Sequence, residues 1–136
     1  MANKLKLEIV TPEARTFSDE VDMVTLTGGD GEMGIFPQHM PLMTELVAGE
    51  IHAIKDGKSI LLAVGDGFIQ VTGDRVSILT DMAIRAENID EAAAEQARQR
   101  AQEQLKQKLS DEDAAMVEGT LTHALTQLQV KRKYKR

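Results

Sequence analysis

The chain has 136 residues, 28% of them charged and 42% hydrophobic, which suits one compact soluble domain or two small units. It has no cysteine, which excludes disulfides, thiolate metal sites and cysteine nucleophiles; aromatics at 3% leave an aliphatic core and argue against a stacking platform for nucleic acid. The net charge of −6 is uneven, because Lys131, Arg132, Lys133, Lys135 and Arg136 crowd the end while the other 130 residues carry 11 basic and 22 acidic groups.

A basic tail on an acidic body predicts that the tail meets an acidic surface, and that the body repels phosphate. No apolar run approaches the roughly 20 residues needed to span a bilayer. The start leads straight into an alternating segment with no signal-peptide pattern. Both features predict a cytosolic protein, or one attached to a membrane only through a partner.

Leu5, Leu7 and Ile9 alternate with Lys4, Lys6 and Glu8, the period of a strand with one wet face. A short strand begins at Phe17, and Val21 to Thr27 is a third, rich in β-branched residues. Gly28, Gly29, Gly31 and Gly34 then precede Pro37 and Pro41. The glycines loosen the backbone and the prolines remove donors, so the stretch from Gly31 to Leu42 reads as a shaped loop.

Strands follow over Leu42–Leu46 and Glu50–Lys55, then over Lys58–Val64 across an Asp56-Gly57 hairpin turn. Ile60 to Val64 is apolar at consecutive positions, which predicts burial on both faces. Phe68–Thr72 and Arg75–Thr80 complete about eight to ten short antiparallel strands, the pattern of a sandwich over residues 1–86.

Beyond that point the period changes. Asn88 with Glu91 forms a capping-box pattern, and Ala92 to Leu109 contains neither Gly nor Pro. Ala94, Ala97, Ala101, Leu105 and Leu109 make one narrow stripe. Ser110 caps a second helix whose stripe is Ala114, Val117, Leu121, Ala124 (with Leu125) and Leu128. So short a turn folds the two helices into an antiparallel hairpin over 87–136. Few large side chains lie on its stripes, and Gly119 costs the second helix about 1 kcal/mol. The hairpin is therefore expected to be easily detached.

The pattern Gly-x-x-Gly-Ile-x-Pro-x-His-x-Pro-Leu, carried by Gly31, Gly34, Ile35, Pro37, His39, Pro41 and Leu42, resembles the signature of the epsilon subunit of bacterial F-type ATP synthases. The two-unit layout and the length agree. The resemblance implies a non-catalytic central-stalk subunit of a proton-translocating synthase, peripheral at the cytoplasmic face of the bacterial cell membrane. It implies that Glu32, Gly34, His39, Pro41 and Leu42 contact the gamma subunit and the c-ring. It implies that Lys131, Arg132, Lys133, Lys135 and Arg136 engage the alpha and beta catalytic subunits when the hairpin extends and inhibits hydrolysis.

The resemblance also raises ATP as a ligand of the hairpin. The associated motif, Ile/Leu-Asp-x-x-Arg-Ala, falls on Ile89-Asp90-Glu91-Ala92-Ala93-Ala94, where Ala93 stands at the arginine position and removes a phosphate partner. Arg98 and Arg100, one to two turns on, are candidate substitutes. Asp90 alone reads equally as a charge favouring a helix N-terminus.

Other chemistry is weakly supported. His39, His52 and His123 share no metal-ligand spacing, so no metal is expected. The acid clusters Asp19-Glu20-Asp22 and Asp111-Glu112-Asp113 lie at element ends where solvated acids are ordinary, with no matched base. The glycine run lacks the Lys-Ser/Thr of a phosphate loop. The rival class is a free-standing β-sandwich ligand-binding module, which needs a cleft with aromatics.

Overall fold

The computed structural model describes residues 4–135. Ten strands come first: β1 Leu5–Val10, β2 Arg15–Val21, β3 Met23–Gly28, β4 Gly31–Ile35, β5 Leu42–Leu46, β6 Gly49–Lys55, β7 Lys58–Val64, β8 Gly67–Thr72, β9 Arg75–Thr80 and β10 Ala83–Arg85. A 3-10 turn, Ala86–Asn88, leads to α1 (Glu91–Leu105) and α2 (Asp111–Tyr134).

The strands run β10-β7-β6-β3-β5-β8-β9-β1-β2 in space, with β4 beside β3. A single residue pair, Gly28 with Leu46, ties β3 to β5. The ribbon folds over at that narrow point into two facing halves. Val24, Leu26, Ile51 and Leu62 of one half and Leu5, Ile9, Ile69 and Ile78 of the other belong to one buried cluster. All pairings are antiparallel except β1 with β9, which is parallel and corrects the wholly antiparallel expectation.

Alternation explains most of this. Leu5, Leu7 and Ile9 are fully buried while their neighbours are half-exposed. The Asp56-Gly57 turn has φ of 52° and 79°, the left-handed pair that fits a twisted two-residue hairpin. Leu62, Ala63 and Val64 are all fully buried. Leu62 and Val64 face the sheet core, while Ala63 packs with Ala86, Ile89 and Val130. The consecutive apolar run is thus explained by α2 lying on the back of β7.

The structure differs from the sequence reading in several places. Gly31–Ile35 is a strand, not loop: Glu32 pairs with Thr27, and Gly34 with Thr25. It pairs with β3 alone, so it is an edge, where glycine is tolerated. Strand β10 was not expected; three residues are too short to show a period. The cap of α1 is Asp90, not Asn88: Ala93 N–H donates to Asp90 Oδ1 at 3.1 Å, and Asn88 ends the 3-10 turn. Helix α1 stops at Leu105, four residues short of Leu109. The second cap is as expected, with Asp113 N–H donating to Ser110 Oγ at 3.1 Å. On α2, Thr126 and Val130 are buried beside Ala124 and Leu128, and Leu125 is exposed. The helix has two buried faces near its C-terminal end because it lies between α1 and the sheet.

Candidate functional site

The distinctive surface of the sandwich is apolar, and its centre is the outer face of β5, β8 and β9. Large apolar side chains stand exposed at Phe36, Met40, Met43, Val47, Phe68 and Leu79. Cross-strand pairing puts Phe68 opposite Leu79 on β9, with Glu45 of β5 on its other side. Each alternates with a core residue such as Leu46, Ile69 or Ile78. Of the three phenylalanines, only Phe17 is in the core; Phe36 and Phe68 are 57% and 59% exposed. An aliphatic-cored chain that puts two of its few rings in water has an uncovered face.

The loop that joins β4 to β5 borders this face. Pro37 and Gln38 make a turn in which Gln38 has φ of 64°, a left-handed conformation unusual for a residue with a side chain. Gln38 N–H donates to Asp74 Oδ1 at 2.7 Å, which anchors the turn to the β8–β9 connection. His39 is half-buried, and its Nδ1–H donates to the Met40 carbonyl at 2.7 Å. That bond consumes the ring nitrogen that faces the chain, so His39 shapes the turn. Leu42 packs against the core, and Pro41 is exposed. Glu32 and Gly34 are exposed on the β4 edge. The loop residues thus rim the apolar face, while Glu32 lies toward the tip of the β3–β4 hairpin.

The second surface is the end of α2. The last turns are helical, and their cations are engaged with this chain's own body. Lys131 Nζ donates to the Ala86 carbonyl at 3.0 Å. Lys133 pairs with Glu50 at 2.9 Å, Lys135 with Glu91 at 2.9 Å, and Arg132 lies 3.9 Å from Glu95. Arg136 lies outside the described residues. The acidic surface anticipated for the tail is therefore supplied, in this conformation, by β6 and α1. Lys135 bound to Glu91 holds that carboxyl below the usual glutamate range. Glu95 is lowered too, chiefly by its bond from Arg98. Lys133 also lines a cavity of about 240 Å³ with Glu32, Glu50 and His52, so the tail ends beside the β3–β4 edge.

The nucleotide candidates do not converge. Ile89 is buried in the cluster beneath α2. Asp90 spends its carboxylate on capping α1. Arg98 is held by Glu95 and Gln102. Arg100 is exposed. The groove between the helices, about 270 Å³, is lined by Ala93, Ala94, Ala97, Thr120, His123, Ala124 and Gln127. No Lys or Arg lines it, so these residues do not suit a polyphosphate. Among the described residues there is no cluster that could hold a metal ion, and no helix is long and apolar enough to cross a membrane.

Sequence reasoning missed the apolar face, the Gln38–Asp74 anchor and the glutamates under the tail. A signal existed for the first alone: Phe68 and Met43 fall on the polar phase of their strands.

Both parts of the chain match known proteins. Residues 4–86 match the family model described as ATP synthase, Delta/Epsilon chain, beta-sandwich domain. Residues 87–132 match the corresponding long alpha-helix domain. A protein named ATP synthase epsilon chain from Herpetosiphon aurantiacus is 46% identical over 126 residues, 93% of each chain. One of the same name from Desulforamulus reducens is 41% identical, covering 95% of this chain and 98% of its own. Among solved structures, a chain in a Euglena gracilis mitochondrial ATP synthase assembly of OSCP, F1 and c-ring superposes with a TM-score of 0.73 at 21% identity, over 90% of this chain and 78% of that one. A chain in the Tetrahymena thermophila central stalk and c-ring structure gives 0.58 at 11% identity, over 98% of each.

Proposed function

The chain belongs to the delta/epsilon family of ATP synthase subunits, and from that premise we propose that it is an epsilon-type, non-catalytic rotor subunit of a bacterial F-type synthase. The observation that carries the reading is the apolar outer face of β5, β8 and β9, with Phe68, Met43 and Leu79 in water. An aliphatic and aromatic strip of this kind is what a permanent partner covers. The partner is the gamma subunit of the shaft, seated on that face and on the loop of His39, Pro41 and Leu42. Glu32 and Gly34, at the β4 edge, meet the c-ring. The protein is held at the cytoplasmic face of the membrane through these partners only, and it takes no nucleic acid.

The hairpin is the regulatory arm. Detached, α2 presents Lys131, Arg132, Lys133, Lys135 and Arg136 to acidic segments of the alpha and beta subunits and obstructs hydrolysis without doing chemistry. Docked, four of those five cations already have partners on this chain. Inhibition is then a competition between two acidic surfaces for one basic helix end. Ala93 at the motif's arginine position and a groove between the helices without cations argue against nucleotide as its arbiter.

The test adds purified protein to an epsilon-free catalytic complex. Hydrolysis is expected to fall, a chain ending at Val130 to inhibit less, and Phe68→Asp to lose co-purification with gamma. Unchanged hydrolysis together with unchanged proton coupling would remove the reading.

A further inference from the structure

The last turn of α2 closes one side of a cavity of about 450 Å³ that shares no residue with the apolar face or with the groove between the helices. Three parts of the chain meet in it. The β6–β7 hairpin supplies Lys55 and Lys58, β10 supplies Arg85, and α2 supplies Tyr134. The partly buried Ile60 and Leu61 complete the wall.

The cations here are only partly used. Lys55 and Lys58 stand directly opposite each other in the hairpin register. Like charges so placed are destabilising without a negative group between them. Asp19 takes Lys55 at 2.7 Å, but Lys58 enters none of the ion pairs among the described residues. Arg85 donates from Nη1 to Glu87 Oε1 at 3.5 Å and lies 4.9 Å over the Phe17 ring, which leaves most of its five donors unspent. Behind Tyr134, Lys131 lies 5.4 Å from the ring and gives its Nζ–H groups to the Ala86 and Glu87 carbonyls. Of the carboxylates in the wall, Asp56 is held by Lys4 at 2.9 Å, and Glu87 has only its long contact with Arg85. The main chain adds donors. Strand β10 covers β7 only from Leu62 to Val64, so the β7 edge from Lys58 to Leu61 has no strand beside it among the described residues. Such an edge offers unpaired N–H groups.

We propose that this cavity binds a phosphate-class dianion, either free phosphate or the phosphoryl group of a small phosphate monoester. Lys58 and Arg85 hold its oxygens. Charge-assisted bonds of this kind are strong, and a guanidinium matches two oxygens at once. Lys55 and Lys131 add positive potential from either side, and Tyr134 closes the outer wall. Ile60 and Leu61 suit the short carbon chain of an ester. The first 130 residues carry 22 acidic and 11 basic groups. That balance favours a small anion seated among these cations over a long polyanion, which the surrounding carboxylates repel. The bound dianion joins the hairpin end, the connector and the last turn of α2.

The chain has one tyrosine and no tryptophan, so its intrinsic fluorescence reports Tyr134 alone. The full chain is titrated with sodium phosphate, and separately with glycerol 3-phosphate, against sodium chloride at the same pH and ionic strength. A phosphate is expected to change the emission saturably and chloride is not, and amide NMR shifts should gather on Lys58 to Leu61 and Arg85. The tighter of the two phosphates identifies the source. Lys58→Gln should weaken binding roughly two- to five-fold, the loss of one exposed charged contact, and Lys58→Arg should restore it. Lys58 is exposed and without an ion pair among the described residues, so its replacement leaves the fold intact. Lys58→Gln combined with Arg85→Gln should abolish saturation. Lys135→Gln removes a cation next to Tyr134 that is not on the cavity wall, and it should leave the affinity unchanged. A phosphate response no larger than that to chloride overturns the site. So does a response that survives the double variant, or one lost with Lys135 rather than with Lys58. The isolated chain suffices, so either result stands apart from the assignment to a rotor.

Discussion

The sandwich and the hairpin bury themselves with different materials. The sandwich fills its interior with Leu5, Leu7, Ile9, Ile51, Leu62, Ile69 and Ile78, each fully buried and drawn from strands far apart in the chain. The hairpin buries Ala94 and Ala101 on α1 and Ala124, Thr126, Leu128 and Val130 on α2. Only Leu128 and Val130 among these are sizeable. A buried Leu contributes roughly 1.5–3 kcal/mol, and an alanine methyl far less. The first half of α2 touches little, with Met116 69% exposed. What holds the arm is small apolar contacts plus a series of polar ones to the rest of the chain, Lys131 to Ala86, Lys133 to Glu50 and His123 to Asp81, while Lys135 to Glu91 ties α2 to α1. Polar contacts of this exposed kind are weak singly and respond to pH, salt and competitors. Such an attachment suits a part that lets go, as proposed for the hairpin, better than a part that grips.

The sharpest way to break the contrast is to cut the same amount of side chain from each half. Ile69→Ala should cost about 2–5 kcal/mol and lower the urea midpoint of the sheet. Leu128→Ala removes a comparable buried group, yet it should free the arm and leave the sheet midpoint within error. Equal losses in the sheet signal would show that the two parts melt as one body.

A smaller effect separates two alanines on the same helix face. Ala101 is 2% exposed between the helices, so Ala101→Leu should overfill the contact at a cost of about 1–3 kcal/mol. Ala97 borders the open groove, so Ala97→Leu should cost less. Protease resistance of residues 88–135 measures both, and equal sensitivity would mean that the groove is not open in solution.

The smallest effect belongs to the cationic end. Glu50→Gln should weaken docking by less than about 1 kcal/mol, as for other exposed pairs. Raising salt to molar levels should mimic it, since the screening length then shrinks to about 3 Å. Acid sharpens the same point. The Glu91 and Glu95 carboxyls are held low by Lys135 and Arg98, so their contribution is present above the ordinary glutamate range and lost as pH falls through the depressed values. Both carboxyls bond within the hairpin, so α2 should loosen from α1 at pH below about 4, while Ile69 and its neighbours still hold the sheet. Proteolysis at graded pH reads the order of the two events.

Much of the architecture was legible because its signals are local. Leu5-x-Leu7-x-Ile9 states which face is wet, Asp56-Gly57 states a hairpin, and Ser110 with Asp113 states where α2 begins. The family signature from Gly31 to Leu42 pointed to the right relatives even where its conformation was misread. Strand β4 was hidden because glycines lower strand propensity, and an edge strand needs only the partner it has in β3. Asn88 imitated a cap because the 3-10 turn that absorbs it has no pattern of its own.

The candidate site was less legible. The loop residues and the basic end were visible as types. Their company was not: Glu50 is 83 residues from Lys133, and Asp81 is 42 from His123. Local chemistry along the chain determined the two kinds of structure and the boundary region between them, and it predicted a lightly packed second part. Only the tertiary fold decided that α2 lies on the back of β7, that its cations close on this chain's own glutamates, and that Phe68 and Leu79 stand side by side on an uncovered face. The physical reason is range. Hydrophobic period, caps and turns act over a few residues, whereas a charge pair or an exposed patch exists only once distant strands have been brought together.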